Sequence, residues 1–363
     1  MSKPLAIAYS DQYLDWQLGA GVGSHPTNPV RAKLATEKLV EKLGDNAIVI
    51  DPTPEGREAG DREALSLVHS ERHIHAALNN FVDPQWSGAN RQVAEAGFAM
   101  FRGTVRLVEK LLAGEIQVGF NPQGAKHHAR RNASSGFCVY NDMAYAALKF
   151  QEAGLRPLYL DWDIHAGDGV HHILKETKIP TLSIHQGGIY PLDAELTDFS
   201  KRGTRHTKHD LEAVSYNWNL VSGDGDDGLR WAMDEAAEVI DAYKPDVILL
   251  AAGADGHEGI NNLGVNSNFS YRGFVNAAKI VGALARKHSQ GRVLIGGAGG
   301  YQPLDHTPEI WSQVVSEIYN WIQQEGEYPD VTQEDRDQAD KSYPKNGPWH
   351  DAEIEMMKAL GHL

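Results

Sequence analysis

Short apolar runs alternate with longer segments of helical period along most of this 363-residue chain. The apolar runs are bounded by turn residues, which is typical of buried strands in a parallel sheet. The segments between them repeat apolar residues at helical spacing, and two of them end at a glycine, Gly44 and Gly114. This alternation predicts an α/β fold. The predicted strands are 4–9, 47–51, 116–120, 157–163, 181–186, 246–253 and 292–299, and the predicted helices are 29–44, 63–80, 90–113, 141–153, 228–243, 271–288 and 308–324.

The chain shows no linker and no internal repeat that would divide it. We therefore predict a single domain over residues 1–325, although this exceeds the usual domain size. Residues 326–363 are acidic and polar and finish in a short helical pattern. We expect this C-terminal extension to dock on the same domain.

Composition excludes some classes of partner. The chain has 34 Lys and Arg against 49 Asp and Glu, a net charge of −15. This field disfavours nucleic acid and anionic membranes and favours a cationic or neutral small substrate. Cys138 is the single cysteine, which excludes an intrachain disulfide, and we find neither a signal peptide nor a membrane span. We therefore expect a cytoplasmic protein, and the sequence leaves homo-oligomers open.

Chemically useful side chains stand where the predicted strands end. Asp161 and Asp163 end one strand, Asp255 follows another, and Tyr301 follows the glycine-rich run GGAGG. In open α/β sheets, ligands bind beyond the carboxyl ends of the strands. We therefore expect these segments to bring their side chains to one edge of the sheet.

Three of the residues at this edge are suited to a divalent metal. Asp163 and His165 can offer an oxygen and a nitrogen from one loop, and Asp255 can add a third ligand from another strand. Three protein ligands with open positions are typical of a catalytic site. Zinc is the metal that we expect, with Fe²⁺ or Co²⁺ as alternatives. In the competing interpretation the aspartates cap turns and His165 lies at the surface.

The adjacent histidines His127 and His128 are candidate proton carriers. Asp161 and Asp168 could hold their rings and raise their basicity. A tyrosine after a glycine-rich turn, Tyr301, can donate a hydrogen bond to a developing oxyanion. Together with a metal, these groups predict a metal-assisted hydrolase. The sequence does not assign which histidine is the base and which the acid.

Several motifs together resemble the histone deacetylase superfamily, in the branch of bacterial acetoin-utilisation deacetylases and acetylpolyamine amidohydrolases. They are SHPTNPVRAKLATEKL at 24–39, then HHA, SGFC, DWDIHAGDG and GGAGGY, in the family's order. The resemblance implies an arginase/deacetylase fold, with an eight-stranded parallel sheet flanked by helices. It also implies zinc-dependent removal of an acyl group from acetyl-lysine or an acetylpolyamine.

The resemblance also implies a role for each matching residue. Asp163, His165 and Asp255 resemble the zinc ligands, and Tyr301 resembles the tyrosine that polarises the carbonyl. His127 and His128 resemble the tandem active-site histidines, with Asp161 and Asp168 as their partners. The implied substrate-binding residues are Gly136, Phe137, Tyr190 and Leu263, and the implied site for a structural potassium ion comprises Asp161, Asp163, His165, Ser183 and Ile184.

One segment departs from the family pattern. After Asp255 the family usually continues toward Asp-x-Leu-Gly, whereas this chain has GHEGINNLGVN. His257 and Glu258 could therefore reach the rim of the pocket. Three alternatives stay open: an amidohydrolase of a small non-lysine amide, an arginase-like ureohydrolase with a second metal, and an acyl-ligand sensor without turnover.

Overall fold

The structure is a computed structural model that describes residues 3–18, 27–193, 196, 215–257 and 265–324. Among these residues, eight strands form one sheet in which every neighbouring pair is parallel. The strands are β1 (Leu5–Ala8), β2 (Ala47–Ile50), β3 (Val118–Asn121), β4 (Pro157–Asp161), β5 (Thr181–Gln186), β6 (Ser215–Leu220), β7 (Val247–Ala251) and β8 (Val293–Gly296). Their order across the sheet is β2-β1-β3-β8-β7-β4-β5-β6. The eight parallel strands agree with the fold that the resemblance implies.

Helices cover both faces of the sheet. They are α1 (Val30–Leu43), α2 (Glu58–Leu65), α3 (Glu71–Ile74), α4 (Arg91–Leu112), α5 (Asp142–Glu152), α6 (Asp168–Leu174), α7 (Asp226–Tyr243), α8 (Tyr271–His288) and α9 (His306–Gln323). Successive strand residues point to opposite faces, so Leu5 and Ile7 join one apolar cluster while Ala6 and Ala8 join the other. The first cluster includes α7, α8 and α9, and the second includes α4 and α5. No described helix is long and apolar enough to cross a bilayer.

Strand β6 is an element that the sequence pattern did not reveal. Its sequence, SYNWNL, alternates polar and apolar residues instead of forming an apolar run. It is the last strand in the sheet order and pairs with β5 alone. The apolar side chains Tyr216, Trp218 and Leu220 enter the core. An edge strand has one paired side and needs no continuous apolar run, which is why the prediction omitted it.

The single helix predicted over 63–80 is wrong. Helix α2 ends at Leu65, and α3 begins only after Ser70, whose hydroxyl accepts a hydrogen bond from the backbone N–H of His73 at 3.4 Å. A π-helical turn at His75–Asn79 follows α3. A serine that bonds to nearby backbone groups favours a helix start over a helix interior, so it divides the apolar pattern into two elements.

The four central strands position the candidate site. In the sheet, β3, β8, β7 and β4 are consecutive neighbours. The loop after β3 carries His127 and His128, and the loop after β8 carries Tyr301. The loop after β7 carries Asp255, and the loop after β4 carries Asp163. Four separate segments therefore converge at one edge, as the sequence predicts. The predicted extension over 326–363 lies outside the described residues.

Candidate metal centre and active site

Two aspartates and one histidine meet beyond the ends of β4 and β7. Asp163, His165 and Asp255 are all buried, and one ligand atom from each lies within 4.8 Å of the others. The Nδ1 atom of His165 is 3.2 Å from Oδ1 of Asp163 and 3.0 Å from Oδ2 of Asp255. The backbone N–H of Gly299 donates to Asp163 Oδ2 at 2.6 Å, and that of Ile164 donates to Asp255 Oδ1 at 3.1 Å. Backbone donors thus orient both carboxylates.

The chemistry of this group fits a divalent cation. Burial, followed by the negative charge of Asp163, raises the pKa of Asp255 to about 6. Two buried carboxylates that face each other are costly unless a cation lies between them. A set of two oxygen donors and one imidazole suits zinc, Fe²⁺ or Co²⁺. Within the described part of the chain, this is the one group of three or more such side chains placed to hold a metal.

The tandem histidines lie against the carboxylates that the sequence pairs with them. His127 Nδ1 is 2.8 Å from Asp161 Oδ2, and His128 Nδ1 is 2.7 Å from Asp168 Oδ1. All four side chains are buried, and the two imidazole centroids are 4.0 Å apart. Because Asp168 occupies Nδ1 of His128, the Nε2 atom of that ring is available for a substrate or a water, whereas Nε2 of His127 lies 3.8 Å from Oδ1 of Asp163.

The two histidines differ in their charge at neutral pH. Burial opposes the charged form of His127, but the carboxylates of Asp161 and Asp163 raise its pKa to about 9. Burial and the positive charge of His127 lower the pKa of His128 to about 4. His127 is therefore protonated and His128 is neutral at neutral pH. A neutral imidazole can accept a proton, which the sequence alone could not assign to either ring.

Arg130 supports His128 through Asp168. Its Nε and Nη2 atoms donate to Asp168 Oδ2 at 3.0 and 2.7 Å, and Nη2 also lies 3.3 Å from Asp193. Burial raises the pKa of Asp168, but the bonds from His128 and Arg130 outweigh it and lower the pKa. Asp168 therefore stays ionised beside His128. The sequence alone does not reveal this role of Arg130, because an ion pair across 38 positions leaves no local pattern.

An aromatic-walled cavity of about 330 Å³ leads to the buried group. The ring centroids of Phe137 and Tyr301 lie 6.5 Å apart, and those of Tyr190 and His128 lie 4.9 Å apart. Tyr190 is 41% exposed and stands at the mouth, whereas His165 lies at the base. The lining residues are Gln85, His128, Gly136, Phe137, His165, Tyr190 and Tyr301. We call this cavity the tunnel.

Two features of the tunnel wall concern Phe137 and Tyr301. Phe137 adopts a positive φ of 62°, and its N–H donates to Oε1 of Gln85 at 2.8 Å. Gln85 was missed because nothing in its sequence neighbourhood marks a wall residue. Burial, followed by the charges of Asp255 and Asp163, raises the pKa of Tyr301 well above its usual value. Tyr301 therefore keeps its hydroxyl proton and can act as a hydrogen-bond donor.

The remaining predicted residues have different outcomes. His257 does not reach the rim: it is 2% exposed and stacks on His306 with centroids 4.6 Å apart. An isolated β-bridge between His257 and Phe269 directs this segment toward the core. Leu263 and Glu258 lie outside the described residues.

Three residues of the predicted potassium site lie on the neighbouring strands β4 and β5, and Asp163 and His165 lie in the loop after β4. Asp161 and Ser183 are partners in the register between β4 and β5. The Ser183 hydroxyl lies 2.9 Å from Nδ1 of His185, and Ile184 is fully buried.

Gly136 offers a test of how closely the wall fits His128. With a φ of 52°, Gly136 lies so close that an added Cβ would be 2.4 Å from Cδ2 of His128. We expect Gly136→Ala to lower kcat/KM by about 10²-fold, because a shift of about 1 Å in a catalytic group has that effect. Steady-state kinetics on an acetyl-lysine reporter would measure the loss.

The matched control is Gly88→Ala, because Gly88 has a φ of 66° and open space where its Cβ would lie. Both variants carry the strain of a positive φ, so both should lose similar thermal stability. Equal activities of the two variants would show that the approach of Gly136 to His128 has no functional consequence.

Comparison with known proteins gives a consistent result. Residues 25–318 match the histone deacetylase domain. The chain is 28% identical over 328 residues to the acetoin utilization protein AcuC of Bacillus subtilis (strain 168), covering 83% of this chain and 78% of that protein. It is 27% identical over 353 residues to the AcuC protein of Staphylococcus aureus (strain MSSA476), covering 90% and 85%.

A solved structure shows the same fold. The crystal structure of the HDA15 HD domain aligns with a TM-score of 0.70 at 23% identity, covering 87% of this chain and 90% of that chain. The resemblance drawn from the motifs and the single-sheet α/β architecture are thereby confirmed. With its domain match extending over most of the sequence, the chain belongs to the histone deacetylase family.

Proposed function

We infer that the protein is a zinc-dependent amidohydrolase that removes an acetyl group from an N-acylated amine such as acetyl-lysine or an acetylpolyamine. The observation that carries this proposal is the buried Asp163, His165 and Asp255 group beside two histidine–aspartate pairs at the base of the tunnel. The histone deacetylase family is metal-dependent and hydrolyses amides, which supports the same reaction class.

Each residue has a defined task in the proposed reaction. A zinc ion held by Asp163, His165 and Asp255 would supply a Lewis acid that polarises the acyl carbonyl and acidifies a water. His128, neutral and held by Asp168, accepts a proton from the attacking water. Tyr301 donates its O–H to the carbonyl oxygen as negative charge develops there.

The second half of the reaction releases the amine. The C–N bond breaks as its nitrogen receives a proton from one of the tandem histidines. His127, protonated at neutral pH, adds a positive charge close to the developing oxyanion. The products are a carboxylate and a free amine, and the tunnel releases the amine to solvent.

Two alternatives receive less support from the site. An arginase-like ureohydrolase needs a second metal and further carboxylates, whereas the described residues offer a single ligand group. An acyl-ligand sensor would need neither the ionised Asp168 nor the neutral His128. Turnover of a generic acetyl-lysine reporter tests the proposal, and tight binding without turnover would favour a sensor. We also propose that a potassium ion binds near Asp161, Asp163, His165, Ser183 and Ile184.

The charge of the protein gives a prediction for the amine side of the substrate. A net charge of −15 should steer cationic amides toward the tunnel. We expect kcat/KM for an acetylated diamine to exceed that for a matched acetylated amine that carries a carboxylate. The advantage should shrink as salt screens the field, since the Debye length falls to about 3 Å at about 1 M. A preference for the anionic amide at both low and high salt would contradict the prediction.

A further inference from the structure

One chain of polar contacts joins the proton-accepting histidine to a residue near the mouth of the tunnel. Asp168 Oδ1 lies 2.7 Å from Nδ1 of His128, and Asp168 Oδ2 accepts two hydrogen bonds from Arg130. Nη2 of Arg130 also donates to Oδ2 of Asp193 at 3.3 Å, and Nε2 of His172 lies 2.8 Å from the same oxygen. A carboxylate accepts, so Nε2 of His172 is the donor of this bond. We call the contacts of Asp193 with Arg130 and His172 the tether.

Two separate parts of the fold supply the donors of the tether. His172 lies on α6, four positions after Asp168 and on the same side of the helix. Arg130 comes from the loop after β3, and its two bonds to Asp168 fix the plane of the guanidinium. The side chain of Asp193 is 12% exposed, so water competes little for these donors. The tether therefore fastens Asp193 to a part of the site that is already well ordered.

Asp193 belongs to the short segment that supplies the mouth of the tunnel. Tyr190 lies three positions earlier, and its ring centroid is 4.9 Å from that of His128. The backbone N–H of Leu192 donates to the carbonyl of Ile189 at 3.1 Å, which closes a turn around Tyr190. The position of Asp193 is thus linked to that of the Tyr190 ring.

The middle of this segment has little packing to hold it in place. Leu192 is 71% exposed and adopts a positive φ of 55°. Such a backbone conformation is unfavourable for a residue other than glycine and persists only where the surroundings impose it. Ile189, at 9% exposure, anchors one end of the segment in the core, and the tether on Asp193 anchors the other.

Resting on the proposed function, we propose that Asp193 is a positioning residue for this reaction, because the tether fixes Tyr190 as a wall of the tunnel. Arg130 takes part in the tether and also supports Asp168, so one guanidinium serves both substrate binding and proton transfer. Asp193 does not line the tunnel and acts through Tyr190. Its removal should therefore weaken substrate binding and leave His128 in place.

The first measurement separates KM from kcat in the native holoenzyme and in Asp193→Ala, with an acetyl-lysine peptide as substrate. We expect KM to rise by about 10-fold, the lower end of the effect of a hydrogen bond between charged groups, because Arg130 is 43% exposed. The kcat should stay close to native, since Arg130 keeps both bonds to Asp168. A variant that had merely lost folded enzyme would show the reverse, a lower kcat at native KM.

The matched control is Asp241→Ala. Asp241 on α7 also accepts from one cation and one histidine, Lys287 Nζ at 2.7 Å and His288 Nε2 at 2.6 Å. Its removal should leave KM and kcat unchanged. In an Arg130→Met background, where one contact of the tether is already broken, Asp193→Ala should raise KM by less than in the native enzyme. Equal effects in the two backgrounds would overturn the link through Arg130.

Hydrogen–deuterium exchange tests the tether without turnover. The amide of Leu192 should exchange faster in Asp193→Ala than in the native protein, whereas Asp241→Ala should leave its exchange unchanged. A native KM in folded Asp193→Ala, or unchanged exchange at Leu192, would overturn the inference and leave the proposed function intact. A native enzyme that does not cleave the peptide would count against the proposed function, and the exchange at Leu192 would still decide whether Asp193 holds the segment.

Discussion

Replacing His128 with alanine is expected to lower kcat on an acetyl-lysine reporter by about 10²–10⁴-fold, the usual contribution of a proton-transfer group. His128 is the neutral member of the tandem pair, and Asp168 holds its ring at 2.7 Å. The loss should appear in kcat and kcat/KM, because the proton moves in the transition state and not on binding. Steady-state kinetics, with circular dichroism to confirm the fold, would measure it.

The control for this prediction must be a histidine outside the site. His288 is unsuitable because its side chain is only 9% exposed and its Nε2 lies 2.6 Å from Asp241. His75 is exposed and lies in the π-helical turn, so His75→Ala should retain native kinetics. Small and equal effects of the two substitutions would mean that His128 has a structural role only.

Replacing Tyr301 with phenylalanine should leave the fold and the metal content intact while lowering kcat by about 10²–10³-fold. The substitution removes one oxygen from a ring that lies 6.5 Å from both the Phe137 and His165 rings. Because the raised pKa keeps the phenol protonated, native activity should not fall at alkaline pH through ionisation of Tyr301. Stopped assays over long incubations can follow the residual turnover of the variant.

A conservative wall substitution serves as the comparison for Tyr301. Tyr190→Phe also removes a phenol oxygen, but from a residue that is 41% exposed at the mouth of the tunnel. Its hydroxyl contacts Ser135, away from the base of the tunnel. We expect Tyr190→Phe to change KM more than kcat. A folded Tyr301→Phe enzyme with native kcat would exclude that residue from stabilising the oxyanion.

The sequence was sufficient to predict the groups that meet at the sheet edge. Asp161, Asp163 and Asp255 follow buried apolar strands, and the parallel arrangement of such strands brings their ends together whatever the details of packing. The residue types indicated Asp161 and Asp168 as carboxylate partners of the tandem histidines, the resemblance implied which histidine each would hold, and the distances in the structure agree with that pairing. The strand ends depend on local patterns that a single sequence contains, whereas the pairing was implied by the order of the family's motifs.

What the sequence could not predict depends on contacts between distant segments. Arg31 stands in the helix predicted over 29–44, whose pattern does not show that this side chain is 1% exposed and bonds to Gly300 across 269 positions. His257 follows a metal-ligand candidate closely, but its ring packs into a buried cluster with His306. Lys126 precedes the tandem histidines, and nothing in its sequence neighbourhood shows that its charged side chain is buried.

The central claim, a hydrolase with one catalytic metal, is tested most directly by metal analysis coupled to turnover. Elemental analysis should find one tightly bound divalent metal per chain, because the described residues form a single ligand group. Chelation should abolish cleavage of an acetyl-lysine reporter, and one equivalent of zinc should restore it, except in Asp255→Asn. Two tightly bound catalytic metals per chain, or full turnover after the metal has been removed, would contradict the account.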